Sequence, residues 1–292
     1  MPYPSDVGVV DLMIGFPMGD KKAVYDYLMR GIKDSETKES FTFPAEYMFK
    51  DVPDEAGDDL DPVDQAFAEM DRYGVEQGLF GNLKAGAEAR ERHPGRVHLS
   101  LEVDPNDVMG SVRKIRAAHE DYGIKAVTFF PAGCLPQVNV DDPKMYPVYA
   151  TCIELDIPVI ANAGIAGPRF PSDCQHVMRF DQVCYDFPDL RIVMRHGAEP
   201  WEELAVKLML KWPGLYYMTS AFAPKYYPKA IIDYANTRGA DKIMYAGYYP
   251  MGLSLERIFT EMPDVPFRDH VWPKFLRENA LRLFGASAIP ST

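Results

Sequence analysis

Eight short runs of β-branched and apolar residues recur along the chain, separated mostly by longer stretches with helical spacing. This alternation constrains the fold more than any other feature. The runs are Val7–Leu12, Gln77–Phe80, Val97–Glu102, Ala126–Phe130, Pro158–Asn162, Arg191–Met194, Leu215–Thr219 and Lys242–Ala246. Strands alternating with helices mark βαβ units and a parallel sheet. Eight such units in 292 residues fit a closed (β/α)8 TIM barrel better than an open sheet, because barrels of about 250 residues form one domain. The expectation is one α/β domain over residues 1–292.

The intervening stretches carry helix signals. Asp61 can cap a helix running to about Tyr73, with Pro62 suited to its first turn. Between Asn106 and Tyr122, apolar residues recur every three or four positions. Further helices are expected from Asp142-Pro143 to about Leu155, over Trp201–Lys211, and over Lys225–Arg238. A last one is expected over Phe275–Phe284, closed by Gly285, within a C-terminal segment of about 272–285. Two stretches break the rhythm. An insertion after the first strand, about 19–57, holds the charged run Lys33–Glu39 and then Phe41, Phe43, Tyr47 and Phe49. Loops after barrel strands lie at the active-site end, so it reads either as a lid or as a surface subdomain or dimer contact. Met262–Trp272 reads as a connector, and the tail after Gly285 as frayed.

Composition excludes several classes of function. A net charge of −12 disfavours nucleic acid or an anionic membrane as partner. No apolar run reaches the roughly 18 residues that a membrane helix needs, and the N-terminus lacks a signal-peptide pattern. The chain therefore reads as a soluble cytoplasmic protein acting on a small molecule. Cys134, Cys152, Cys174 and Cys184 include no CxxC pair and suggest neither a disulfide framework nor a zinc site.

Five ordered segments carry a family resemblance. They are Val10 to Pro17; Asp142 to Tyr149 with Ile157 to Gly164; Phe187 to Gly197 with Pro200-Trp201; Ala240 to Met251; and Glu278 to Gly285. Together they resemble the amidohydrolase-2 family of decarboxylases and hydrolases, the aminocarboxymuconate-semialdehyde decarboxylase-like branch of the amidohydrolase superfamily. The resemblance implies a TIM barrel and homodimerisation. It also implies Zn²⁺ or a similar ion held by two strand-one histidines, a strand-five histidine and a strand-eight aspartate, with a strand-six histidine that orients a water or acts as acid or base.

This sequence departs from that pattern where the metal would bind. The two strand-one positions hold Met13 and Gly15, the strand-five position Asn162, and the aspartate position Tyr248. Only His196 keeps the family's residue type, and no histidine precedes His93. Zinc sites use Cys, His, Asp or Glu, and a catalytic zinc needs about three protein ligands. The expectation is no metal and no other cofactor.

The chemistry that remains centres on His196, whose imidazole suits proton transfer near neutral pH. If it faces the pocket, strand alternation sends Arg195 into the helix layer, or toward the rim if the strand has ended. Tyr248 and Asn162 could donate hydrogen bonds to a carbonyl or oxyanion, or simply fill space. Asp11 could orient the imidazole, or be a buried carboxylate held by backbone N–H groups. Arg169, Lys225 and Lys84 on loops after strands would suit a substrate carboxylate or phosphate, though such cations are commonly solvated surface. His176 could reach the barrel mouth. Phe130 and Tyr249 suggest a ring-bearing substrate, or plain packing. Two functions stay open. One is a metal-independent hydrolase or carbon–carbon lyase with a precedent in the pyrone-dicarboxylate lactonase branch. The other is a non-catalytic binding or scaffolding barrel.

Overall fold

The computed structural model describes residues 4, 6–17, 21–40, 45–49, 52 and 61–285. All eight expected strands form: β1 (Val9–Asp11), β2 (Val75–Phe80), β3 (Val97–Val103), β4 (Ala126–Phe129), β5 (Val159–Asn162), β6 (Ile192–Arg195), β7 (Leu215–Met218) and β8 (Ile243–Met244). Each pairs in parallel with the next, in the order β1 to β8. The ends meet without a full ladder. Leu12 N–H donates to the Tyr245 carbonyl at 3.4 Å, Gly15 N–H donates to the Tyr249 carbonyl at 2.8 Å, and Ile14 bridges Tyr249 in parallel. The ring is a TIM barrel.

The helices are α1 (Lys21–Met29), α2 (Ser35–Ser40), α3 (Pro62–Arg72), α4 (Leu83–Arg92), α5 (Val108–Tyr122), α6 (Tyr146–Glu154), α7 (Arg179–Asp186), α8 (Glu202–Lys211), α9 (Lys229–Tyr234), α10 (Leu255–Glu261) and α11 (Asn279–Leu283). Their starts are chemically marked. The Asp61 side chain accepts from Val63 and Asp64 N–H at the head of α3, Asn82 caps α4, Asp107 caps α5 and Ser254 caps α10. Gly123, at φ 60°, ends α5 in the left-handed region. The helix expected over Lys225–Arg238 is broken up. A short turn over Pro224–Tyr226 precedes α9, and a π-helical turn over Ala235–Gly239 follows it. Pro228 lacks an N–H and disfavours helical geometry in the residue before it.

Two apolar layers share the strands. Ile192 and Met194 pack outward against the helices, whereas Val193 packs inward with Val10, Leu12, Leu79, Ile160, Met218 and Met244. Burial on both faces explains why strands such as Ala126–Phe129 read as unbroken apolar runs. Each interior side chain of Leu or Val size contributes roughly 1.5–3 kcal/mol. Ala280, Leu283 and Phe284 join the interior cluster, and Phe284 lies 4.7 Å from the His98 ring near the start of β3. The C-terminal helix thus plugs the end of the barrel where the strands begin. Asn279 fixes it there, its amide donating to the Ala240 and Ile243 carbonyls at 2.7 and 2.8 Å.

Within the insertion, α1 and α2 are helical. Phe41, Phe43 and the tail after Gly285 lie outside the described residues. No helix among the described residues is long and apolar enough to cross a membrane.

Candidate active site

The plug leaves one end of the barrel open. There the strands end in a cavity of about 880 Å³, where barrel enzymes carry their chemistry. The inward phase along each strand decides what borders it. Glu102, Thr128, Asn162 and Arg195 come from the ends of β3 to β6, and Tyr248 follows β8. Apolar walls include Phe16 stacked on Phe80 at 4.6 Å, with Phe130 and Phe222. Described residues of the insertion contribute to the lining. Tyr25, Tyr27, Ala45, Met48 and Phe49 all border the cavity, and Phe49 stacks on Tyr248 at 5.7 Å.

Arg195 corrects the alternation argument. It is in phase with Val193, so it points into the barrel mouth and not into the helix layer. Its Nε donates to Asn162 Oδ1, and Nη2 reaches Glu102 Oε2 at 3.5 Å. His196, one residue on, would face outward in an extended strand. It reaches the cavity because its backbone turns left-handed, with φ 68°, followed by Gly197 at 87° and Ala198 at 58°. Such a conformation is costly for a non-glycine residue and persists only where neighbours enforce it. Here the His196 N–H donates to Ser220 Oγ at 3.1 Å, and Tyr217 Oη donates to the Gly197 carbonyl at 3.2 Å.

His196 Nδ1 lies 3.0 Å from Ser220 Oγ, and the ring meets Tyr248 edge-on at 5.4 Å. Burial holds the imidazole pKa well below its ordinary value, the adjacent Arg195 charge adds to that, and a hydrogen bond with the Ser220 main chain opposes both. The ring is therefore neutral at physiological pH. Burial pushes the Tyr248 phenol up to about 12, which keeps it protonated at neutral pH.

The other expected site residues lie elsewhere. Asp11 is fully buried but does not border the cavity. Its neighbours Val10 and Leu12 point inward, so it faces the seam between β1 and β8. There its carboxylate accepts from Gly247 N–H at 2.8 Å and Met13 N–H at 2.9 Å. Arg169 pairs with Asp34 and Glu36 and lies over the Tyr47 ring, which ties down the insertion. Lys225 pairs with Glu261 at 3.5 Å, and Lys84 is exposed on α4. His176 Nδ1 accepts from Met178 N–H at 3.0 Å, and its ring lies against Trp201. Tyr249 packs into the outer layer. The cavity thus brings together His196, Tyr248, Asn162 and Phe130, and leaves out Asp11, Arg169, Lys225, Lys84, His176 and Tyr249. Sequence reasoning missed Glu102, Ser220 and the inward aim of Arg195. Counting in twos from Val193 would have found Arg195.

The residues at the family's metal positions do not fit a divalent ion. Met13 offers a thioether, Gly15 offers no side chain, Tyr248 keeps its proton, and Asn162 Oδ1 already receives Arg195. A cation there would also face the guanidinium charge. No cluster of three or more His, Cys, Asp or Glu side chains among the described residues could hold one.

A ring of eight parallel strands with an aromatic-walled cavity at its open mouth defines a TIM-barrel protein. The sequence matches the Amidohydrolase family model over residues 17–286, so the chain belongs to that family. No curated protein matches it. Among solved structures it resembles an uncharacterized TIM-barrel protein of Bordetella bronchiseptica, with TM-score 0.69 and 22% identity over 96% of this chain and 99% of that one. It also resembles 2,6-dihydroxybenzoate decarboxylase from Rhizobium, with TM-score 0.66 and 16% identity over 96% and 99%. A third is 5-carboxyvanillate decarboxylase of Novosphingobium aromaticivorans, complexed with manganese and a nitrobenzoic acid, with TM-score 0.67 and 15% identity over 96% and 97%. At these identities the likeness speaks for the fold.

Proposed function

We propose that this protein is a metal-independent hydrolase or carbon–carbon lyase acting on a small carboxylate- or ring-bearing molecule, with His196 as its general acid–base. One observation carries this reading. His196 is neutral, borders the cavity, and is oriented through Nδ1 by Ser220. That leaves Nε2 without a protein partner among the described residues. In hydrolysis, Nε2 takes a proton from water as the water oxygen bonds to the carbonyl carbon, then returns it to the leaving group as that bond breaks. In a decarboxylation the bond to the carboxylate breaks, CO₂ leaves with its oxygens, and the tautomer that carries its proton on Nε2 gives that proton to the carbon and regains one from water. In either case Tyr248 donates to the oxygen that gains charge. The aromatic walls, and structural relatives named for decarboxylation of aromatic acids, support a ring-bearing acid.

The test is a screen of chelator-treated protein against aromatic and cyclic carboxylic acids and their esters. Turnover is expected without added metal, and His196→Ala is expected to lower it at least about 100-fold. Unchanged turnover in that variant refutes the assignment. Binding without turnover in the native chain returns the non-catalytic reading.

A further inference from the structure

A guanidinium taken out of water is costly unless its partners compensate, and those of Arg195 are few. The residue is 7% exposed. Beyond the Nε bond to Asn162 it has only the 3.5 Å contact to Glu102, at the outer limit of a hydrogen bond. Nη1 meets no acceptor among the described residues, yet the side chain borders the cavity. Arginine presents five N–H donors in one plane, in a fork that matches a carboxylate. Glu102 is a loosely held counter-ion, with a side chain 49% exposed.

Resting on the reading of this cavity as the substrate site, we infer that Arg195 is its fixed cation. The guanidinium grips the substrate carboxylate and releases Glu102 as it does so. Its contact with Asn162, at one of the family's metal-ligand positions, sets it against that location. The ligand class follows from charge. Among the described residues the other cation in the cavity wall, Arg257, is paired through Nε with Glu261 at 3.1 Å, whereas Arg195 has no carboxylate closer than 3.5 Å. Glu102 and Glu199 also border the space, so once Glu102 is released the guanidinium suits a singly charged carboxylate better than a phosphate. The Phe16–Phe80 stack, Phe130 and Phe222 provide a surface for the flat body of such an acid.

Calorimetric titration of the full chain with benzoate, benzamide, inorganic phosphate and MnCl₂ tests this. Benzoate is expected to bind at least ten-fold more tightly than its neutral analogue benzamide, with no specific binding of phosphate or Mn²⁺. Arg195→Gln is expected to bring benzoate and benzamide to parity, Arg195→Lys to give an intermediate preference, and Glu102→Gln to tighten benzoate several-fold. Parity or no benzoate binding in the native chain overturns the inference. So does a preference that survives Arg195→Gln, phosphate binding tighter than benzoate, or one-to-one Mn²⁺ binding. If Arg195→Gln does not fold, Glu102→Gln decides, and unchanged or weaker benzoate binding overturns it. His196→Ala is expected to keep the benzoate preference, so a failure of the acid–base assignment reads out separately in turnover.

Discussion

Asp11→Asn separates a structural from a functional role for the buried carboxylate, and its effect has a definite sign. Burial raises the Asp11 pKa from 3.8 to about 7, against the opposing hydrogen bonds from the Gly247 and Met13 main chain. Between those values the folded chain keeps a proton that the unfolded chain has released. The folded state is therefore favoured at the acid end and loses that advantage as pH rises through about 7. A gap of about three pH units at about 1.4 kcal/mol each amounts to about 4 kcal/mol. Asparagine does not titrate, and its Oδ1 can still accept from the Gly247 and Met13 N–H groups. Urea unfolding of both proteins from pH 5 to 8.5 isolates the effect, because His196 and every other group titrate in both. The variant should gain on the native chain by about 1.4 kcal/mol per pH unit up to pH 7, about 3 kcal/mol in total, and then level off. A stability difference independent of pH, or one moving the other way, refutes the reasoning. Because Asp11 does not border the cavity, turnover should stay within a few-fold. A hundred-fold loss would return Asp11 to the site.

Two further substitutions probe how the site is held. Gly197→Ala puts a Cβ 2.3 Å from the Phe222 ring at φ +87°, so it should destabilise the chain by about 1–3 kcal/mol in thermal unfolding and weaken turnover by displacing His196. Arg169→Ala removes exposed ion pairs to Asp34 and Glu36, which add little to global stability. The melting temperature should barely move, while limited proteolysis of the insertion should quicken and KM should rise; proteolysis at the native rate would show that Arg169 does not hold the insertion down.

The barrel could be read from sequence because its signals are local. Eight apolar runs, the cap at Asp61 and the stop at Gly123 depend on side-chain pattern and backbone chemistry within a few residues. The family resemblance is of the same kind, since Met13, Gly15, Asn162 and Tyr248 occupy positions that can be matched in order. Asp11 and Arg195 could not be read this way in full. A carboxylate on a first strand looks alike whether it faces a pocket or a seam, and only the return of β8 beside β1 brings Gly247 N–H to within 2.8 Å of it. Arg169, Lys225 and Lys84 sit after strands as binding cations would, but Asp34, Glu36 and Glu261 claim the first two across the fold, and Lys84 points to solvent from α4. The sharing of one cavity by Arg195 and His196 was decided by the tertiary structure alone. Adjacent residues on an extended strand diverge, and a left-handed turn held by Ser220 and Tyr217 from β7 and its loop brings the second back beside the first. Sequence pattern determines which chemical groups the chain has and the elements that carry them, whereas the direction each group faces depends on contacts between residues far apart in the chain.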